Sequence, residues 1–411
     1  MASRGRGEPN VSSPYRDLLS VRGARSFVAA GFVGRMSMSM TGIGIVLLVS
    51  AVTGSYGIAG AVAATLSVAY AVGAPLSARL ADRYGQRRVL VPLVLVNSAA
   101  FALLIASDLV GLAVWTLFPL AALAGATQVS LGAWVRARWS HALRDRPERL
   151  QTAFSFESVV DESIFVAGPM IVTALSTGVH PAAGLAVASA LTLAGSLALA
   201  AQRGTEPPPR PRQEGHHGGV LANPAVRVLV PVFLMLGVVF GAIDISGVAF
   251  AEEQGHKAMA GLVLGCYALG SAAAALWYGA RAWASPLDRR FKTGLLVLAV
   301  MMIPPVLVTD LWTMMIVVFF SGLAISPSVI PGYGLIEQRV PPHQLTEGLA
   351  LVSTMVGLGV AAGASASGRL VDAYGSSASF LVPLGAAVLA AVVGVAGVRG
   401  SGPSITKVTQ Q

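Results

Sequence analysis

Residues 78–90, ARLADRYGQRRVL, form a short charged turn between two long apolar runs, near 57–80 and 89–106. Gly85 permits a tight reversal, because without a Cβ it reaches backbone angles closed to other residues. Asp82 stands where it can face the N-terminus of a neighbouring helix, whose unpaired amides favour negative charge. Arg83, Arg87 and Arg88 can pair with carboxylates or lipid phosphates, or serve only to hold the turn on one side of a membrane. Roughly 20 consecutive apolar residues cross the hydrocarbon core of a bilayer, and both flanking runs approach that length.

Outward from this turn the same kind of run recurs along the 411 residues, near 26–51, 57–80, 89–106, 109–135, 150–175, 181–201, 225–250, 259–283, 293–309, 311–336, 346–367 and 377–398. Hydrophobic residues make up 55% of the chain and charged residues only 11%, against about 25% charged in a soluble domain. The sequence therefore predicts an all-α polytopic membrane protein with twelve transmembrane helices. The single cysteine, Cys266, excludes an intrachain disulfide and a CxxC metal site, and lies in an apolar run as a packed thiol.

The net charge of +9 is distributed by side. With the N-terminus inside, the inner segments hold most of the arginines, among them Arg79, Arg83, Arg87, Arg88, Arg136, Arg138, Arg144, Arg146 and Arg149, while the outer loops hold only Lys257 and Arg369. This asymmetry is the positive-inside pattern and places both termini in the cytoplasm, with residues 1–25 and 399–411 as cytoplasmic tails. It makes the basic loops topology signals, with anionic lipid contact secondary and no role for nucleic acid. The expected location is the plasma, or inner cytoplasmic, membrane. Trp134 and Trp139, like Trp115, Trp283 and Trp312, read as interface anchors near span ends.

Residues 202–224, QRGTEPPPRPRQEGHHGGVLANP, are the one long polar interruption and read as a flexible cytoplasmic linker. His216 and His217 within it are either solvated or a partial metal site. The linker divides the chain into bundles at 26–201 and 225–398, and these look like repeats. Leu150 to Pro169 aligns on Leu345 to Ala364 at constant offset, placing Gly168 on Gly363; a second register sets Tyr70 and Gly73 on Tyr267 and Gly270. Glu157, Asp161 and Glu162 fall on Val352, Val356 and Gly357, so the repeat does not need these acids to fold. Two related six-helix halves with a site between them recur among transporters.

The turn at 78–90 resembles the loop between the second and third helices of the major facilitator superfamily, G-x-L-a-D-R-x-G-R-K-x-x-L, through Leu80, Ala81, Asp82, Arg83, Gly85, Arg87 and Leu90; Ala78 and Gln86 depart from it. The resemblance implies alternating access by two pseudo-repeated bundles, and a gate at Asp82, Arg83, Gly85 and Arg87 that latches their inner ends. Gly168-Pro169 resembles part of the fifth-helix signature of exporters, although Ile164 and Val172 replace its glycines, and it predicts a kink used for packing. The fourth-helix arginine of many proton-coupled exporters is absent, since Ala121 precedes Gly125.

Three acids in one span are the main functional candidates, because an ionised carboxylate at bilayer depth costs a few kcal/mol and normally faces protein or a watery cavity. Counting about 1.5 Å per residue from Leu150, Glu157 lies roughly 10 Å and Asp161 roughly 17 Å from the inner face, four residues apart on one side of the helix, with Glu162 turned away. Arg35 in the first span reaches a similar depth, so it pairs with these acids as a structural bridge or as an exchangeable coupling group, or else snorkels to the interface from a misplaced span. Two carboxylates that close are expected to share a proton. Asp244 is a cation or proton site, or a packing acid bonded to Ser246. Ser37, Met38, Thr41 and Gln128 are candidate cavity residues, while Met36 and Met40 read as packing.

These readings predict a secondary transporter, not an enzyme, with no cofactor beyond the proton gradient. Its partners would be a small amphipathic substrate, protons and membrane lipids, and it would act as a monomer. Proton-coupled efflux is the leading expectation. A symporter or uniporter for a polar or anionic nutrient, and a membrane sensor that moves nothing, are the alternatives.

Overall fold

The computed structural model describes residues 12–54, 56–107, 111, 113–209, 219–256 and 259–398. His216-His217, Lys257 and the tail segments 1–11 and 399–411 lie outside the described residues. Twelve helices are long and apolar enough to cross a membrane. In chain order they are α1 Ala24–Thr53, α2 Ile58–Tyr84, α3 Gln86–Ala106, α4 Val114–Ala142, α5 Pro147–Gly178 and α6 Ala183–Ala201. After the linker come α7 Pro224–Glu253, α8 Ala260–Ala280, α9 Leu287–Leu307, α10 Leu311–Arg339, α11 Pro342–Tyr374 and α12 Ser376–Gly397. A short helix, Ser12–Leu19, precedes α1, and the described residues contain no strand.

Helix ends follow local chemistry. Asn223 caps α7 by accepting from the Ala225 amide at 2.9 Å, with Pro224 just inside the helix where its missing N–H costs nothing. Asp310 caps α10 through the Thr313 amide at 2.9 Å, and that bond holds its carboxyl below the usual carboxylate range. Gly85 takes φ +94° in the α2–α3 turn, as its position demanded.

Packing within the bundles relies on small residues, since lipid offers helices no hydrophobic reason to associate. Gly237 and Gly241 of α7 lie against the backbone of Val356 and Val360 in α11, while Gly359 and Gly363 of α11 lie against Leu234 and Val238 of α7. The two Gly-x-x-x-Gly stripes thus interlock. The sequence repeat is visible in the packing as well. Leu150 and Leu345 each begin an α-helix after a 3-10 turn, Pro147–Arg149 and Pro342–Gln344 respectively. Gly168 abuts Ser39 and Met40 of α1, whereas its counterpart Gly363 abuts α7. Gly73 meets Ala126 of α4, and Gly270 meets Phe319 of α10.

α5 stays helical through Gly168-Pro169, and the glycine serves close approach to α1. α4 is longer than its apolar run and interrupted at Gln128–Ser130, between Leu117–Thr127 and Leu131–Ala142. α1 breaks at Met36, immediately after Arg35.

Candidate functional site

Arg35 sits at that break, 2% exposed, because Gly31, Gly34 and Gly132 leave room where larger side chains would collide with it or its neighbours. Its Nη2 donates to Glu157 Oε2 at 2.5 Å and its Nη1 to Asp161 Oδ1 at 2.8 Å, while Nε donates to the Gly31 carbonyl at 3.1 Å. Arg136 of α4 donates from Nη2 to the other Asp161 oxygen, Oδ2, at 2.7 Å. The Trp139 indole N–H donates to Glu157 Oε1 at 2.8 Å. Two guanidiniums therefore face two carboxylates. Their mutual repulsion, the reason to expect a shared proton, is offset by an equal number of cations.

The carboxylates differ in access. The Glu157 side chain is 0% exposed and fully engaged, whereas that of Asp161 is 23% exposed. Arg136 also reaches the second bundle, its guanidinium lying 4.2 Å from the ring centroid of Tyr333 in α10. The cluster thus extends from α1 through α5 and α4 to α10.

Arg136 and Arg138 correct the sequence assignment of both to a basic loop. They project from the second half of α4 into the bundle, 2% and 0% exposed. Arg138 donates to Gln86 Oε1 at 2.7 Å, Thr205 Oγ1 at 2.7 Å and the Leu199 and Gln202 carbonyls. Gln86, the departure from the family pattern, is the buried partner that this arginine needs. The same bonds dock the start of the linker on the first bundle, and Glu206 accepts from the Arg87 amide at 2.9 Å, so residues 202–206 are not a free tether. Trp134 and Trp139 are both 0% exposed, hence core residues and not interface anchors.

Between the bundles, bonds gather on the face that bears the linker. Asp82 Oδ2 accepts from the Glu347 amide at 3.0 Å, near the N-terminus of α11, where partial positive charge favours a carboxylate. Arg79, not Arg83, approaches the Glu347 side chain, at 3.9 Å; Arg83 is exposed and lies over the Tyr84 ring. Thr152 Oγ1 donates to the Gly279 carbonyl at 2.7 Å, Gln151 to the Tyr278 carbonyl at 2.9 Å, and Tyr15 to the Leu276 carbonyl at 2.7 Å. Asp82→Ala should weaken this latch by about 1 kcal/mol, raising roughly fivefold the fraction of molecules open on the linker face. The readout is maleimide labelling of a cysteine replacing buried Ser155 in a Cys266→Ser background, and unchanged labelling would refute the latch.

A second polar group lies farther from the linker face. Glu162 accepts from the Ser271 hydroxyl of α8 at 2.5 Å, and Ser326 of α10 donates to the Ser271 carbonyl at 2.8 Å. Asp244 is exposed and does not bond Ser246, whose hydroxyl instead receives that of Ser379 at 2.7 Å. Ser37, Met38 and Gln128 line a small cavity beside Arg35, together with Tyr70, Ser130 and Thr192. Thr41 does not join them, because its hydroxyl bonds back to the Ser37 carbonyl at 2.8 Å. Among the described residues, no group of three His, Cys, Asp or Glu side chains could hold a metal ion.

Comparison with known proteins agrees with this architecture. No curated protein sequence matches the chain significantly. Among solved structures, the human organic anion transporter MFSD10 (TETRAN) superposes with a TM-score of 0.66 at 16% identity, over 90% of this chain and 99% of its own. A bacterial homologue of the iron transporter ferroportin, in an outward-facing state, gives 0.67 at 16% identity, over 91% and 99%. The transporter FucP, in the outward conformation, gives 0.64 at 11% identity, over 92% and 100%. At such identities the likeness concerns the fold alone. The family profile of the Major Facilitator Superfamily matches residues 27–291 and 232–410, and with its twelve helices and two repeated bundles the chain belongs to that superfamily of membrane transporters.

Proposed function

We propose that this transporter exports a small amphipathic molecule in exchange for protons, by alternating access, with Asp161 as the proton carrier. The observation that supports this reading is the unequal pair of buried acids. Glu157 is sealed by Arg35 and Trp139, whereas Asp161 is partly open and bonded to two arginines, one of which also reaches the opposite bundle. Neutralising Asp161 would free Arg136 from its carboxylate and so alter the existing Arg136–Tyr333 contact between the bundles, which gives the proton a differential effect on the two states, as any driving ligand must. Gating by Asp82 at α11 fits the same cycle.

The concentration of arginines beside the linker makes that face cytoplasmic under the positive-inside rule, in the plasma or inner membrane. Closure there corresponds to an outward-facing state, the state named for the ferroportin homologue and FucP. Uptake of an anionic nutrient is less well supported, because both guanidiniums that could bind an anion already hold carboxylates. The monomer is the expected unit.

The test uses purified protein in liposomes with a trapped pH dye and a panel of amphipathic dyes of both charge signs. Export of at least one dye should accelerate roughly tenfold under an imposed pH gradient of one unit, the free energy of which is about 1.4 kcal/mol per proton. A protonophore should abolish that acceleration. Flux indifferent to both treatments would reject proton exchange, and absence of any flux would favour the sensor reading.

A further inference from the structure

The acids Glu162 and Asp244 are left over from the coupling cluster. One residue past Asp161, Glu162 is rotated by about 100° on the helix and points away from the arginines. It makes its bond to Ser271, a neutral hydroxyl in the other bundle. Asp244 in α7 has no hydrogen-bond or ion-pair partner among the described residues, yet lies within electrostatic reach of Glu162. α7 beyond Arg227 and the whole of α8 contain no lysine or arginine, so nothing on these helices offsets the two acids.

Tyr267 supplies a second observation. It is only 5% exposed, and its hydroxyl is buried without a hydrogen-bond partner. The same residue lies within electrostatic reach of both Glu162 and Asp244. Its ring meets that of Phe240 edge-on, with centroids 6.4 Å apart. A buried hydroxyl without a partner is destabilising, so such groups are normally satisfied by something. The repeat sharpens the contrast: Tyr70, which aligns with Tyr267, faces Ser130 and Thr354 with no acid beside it.

We infer that Glu162, Asp244 and Tyr267 bind an organic ammonium ion between the bundles. Two carboxylates and a tyrosyl oxygen offer three acceptors to a cationic head group, and the Phe240 and Tyr267 rings offer apolar and cation–π contact to its substituents. A transition metal fits poorly, because the required third His, Cys or acidic ligand is absent among the described residues. Because α5 belongs to one bundle and α7 and α8 to the other, a bound cation would join them. This names a substrate class for the exporter proposed above and rests on that reading only for transport, since binding itself needs no gradient.

Equilibrium binding of radiolabelled phenethylammonium to the detergent-purified full chain tests the site, with the anion phenylpropionate as a control of similar size. Saturable binding of the cation alone is expected. Glu162→Gln and Asp244→Asn should each weaken it roughly tenfold, one such factor being about 1.4 kcal/mol, and Tyr267→Phe roughly threefold. Asp244→Glu should recover most of the loss, while thermal unfolding checks that each variant is folded. Lack of saturable binding to the wild-type chain, equal binding of phenylpropionate, or unchanged affinity in folded Asp244→Asn and Glu162→Gln would each overturn the assignment. Cation binding without proton-linked flux would instead uphold the site and reject the exchange mechanism.

Discussion

Asp161→Asn should leave a protein that equilibrates its substrate across the membrane but no longer accumulates it against a gradient. The carboxylate accepts one charge-assisted bond from Arg35 at 2.8 Å and one from Arg136 at 2.7 Å. Such bonds contribute about 1.5–3 kcal/mol each, so losing both to protonation alters the cluster by about 3–6 kcal/mol. Moving a two-state equilibrium from 1:99 to 99:1 takes about 5.5 kcal/mol. If both bonds are made in only one of the two states, their loss is of the size that the proposed inward–outward transition needs. Asparagine retains the shape of the side chain in a permanently uncharged form, which fixes the cluster in its protonated arrangement. In liposomes, pH-driven accumulation should fall by roughly two orders of magnitude, while substrate exchange at equal pH stays within about fivefold of wild type. Gradient-driven accumulation at the wild-type level would remove Asp161 from the coupling step.

Most of the fold was legible because bilayer physics is strict. Backbone groups in hydrocarbon must pair within the helix, so apolar runs near twenty residues have few structural alternatives. The pairing of Arg35 with Glu157 and Asp161 was also within reach, because rise per residue puts them at one depth and isolated charges there are costly. Arg136 was not. Counting charges by side assigned it to a basic loop with Arg144 and Arg146, and hydropathy ended the fourth span before it. Yet α4 continues to Ala142, with every residue from Leu131 to Trp139 buried. A signal did exist in Trp134-Val135-Arg136-Ala137-Arg138-Trp139: two arginines enclosed by tryptophans and preceded by Gly132, beside which the side chains of Arg136 and Arg35 pack. Positive-inside reasoning hides such residues, since it explains any arginine near a span end without asking what it touches.

The contact of Asp82 with the second bundle was readable from one side only. A carboxylate before Gly85 predicted a helix N-terminus as its partner, and Asp82 meets the Glu347 amide of α11. Which basic residue accompanies it depends on rotation around α2. Arg79 and Arg83 are four apart, and the one nearer the second bundle could not be chosen without the packing of α11. The same limit applies to Glu162, whose serine partner lies on another bundle and carries no charge to betray it.

Glu157→Ala should be the most destabilising single change in the coupling cluster, through Arg35. With Glu157 removed, two buried guanidiniums remain for the single carboxylate of Asp161, and the Trp139 N–H loses its acceptor. Breaking one partner of a buried pair costs about 3–5 kcal/mol, because the surviving charge stays desolvated. Arg35→Ala has the mirror effect, leaving Glu157 buried with only the indole. The double variant Arg35→Ala/Glu157→Ala restores charge balance, since Asp161 and Arg136 still neutralise each other. Its loss of stability should therefore be no greater than that of either single variant, with a coupling energy of at least about 2 kcal/mol between the two positions. Thermal unfolding in detergent, followed by loss of monodisperse protein, gives the comparison, and each single variant should melt at least about 5 °C below wild type. If the two effects instead add, Arg35 and Glu157 do not stabilise the bundle as a pair, and the proposed division of roles between Glu157 and Asp161 loses its physical basis.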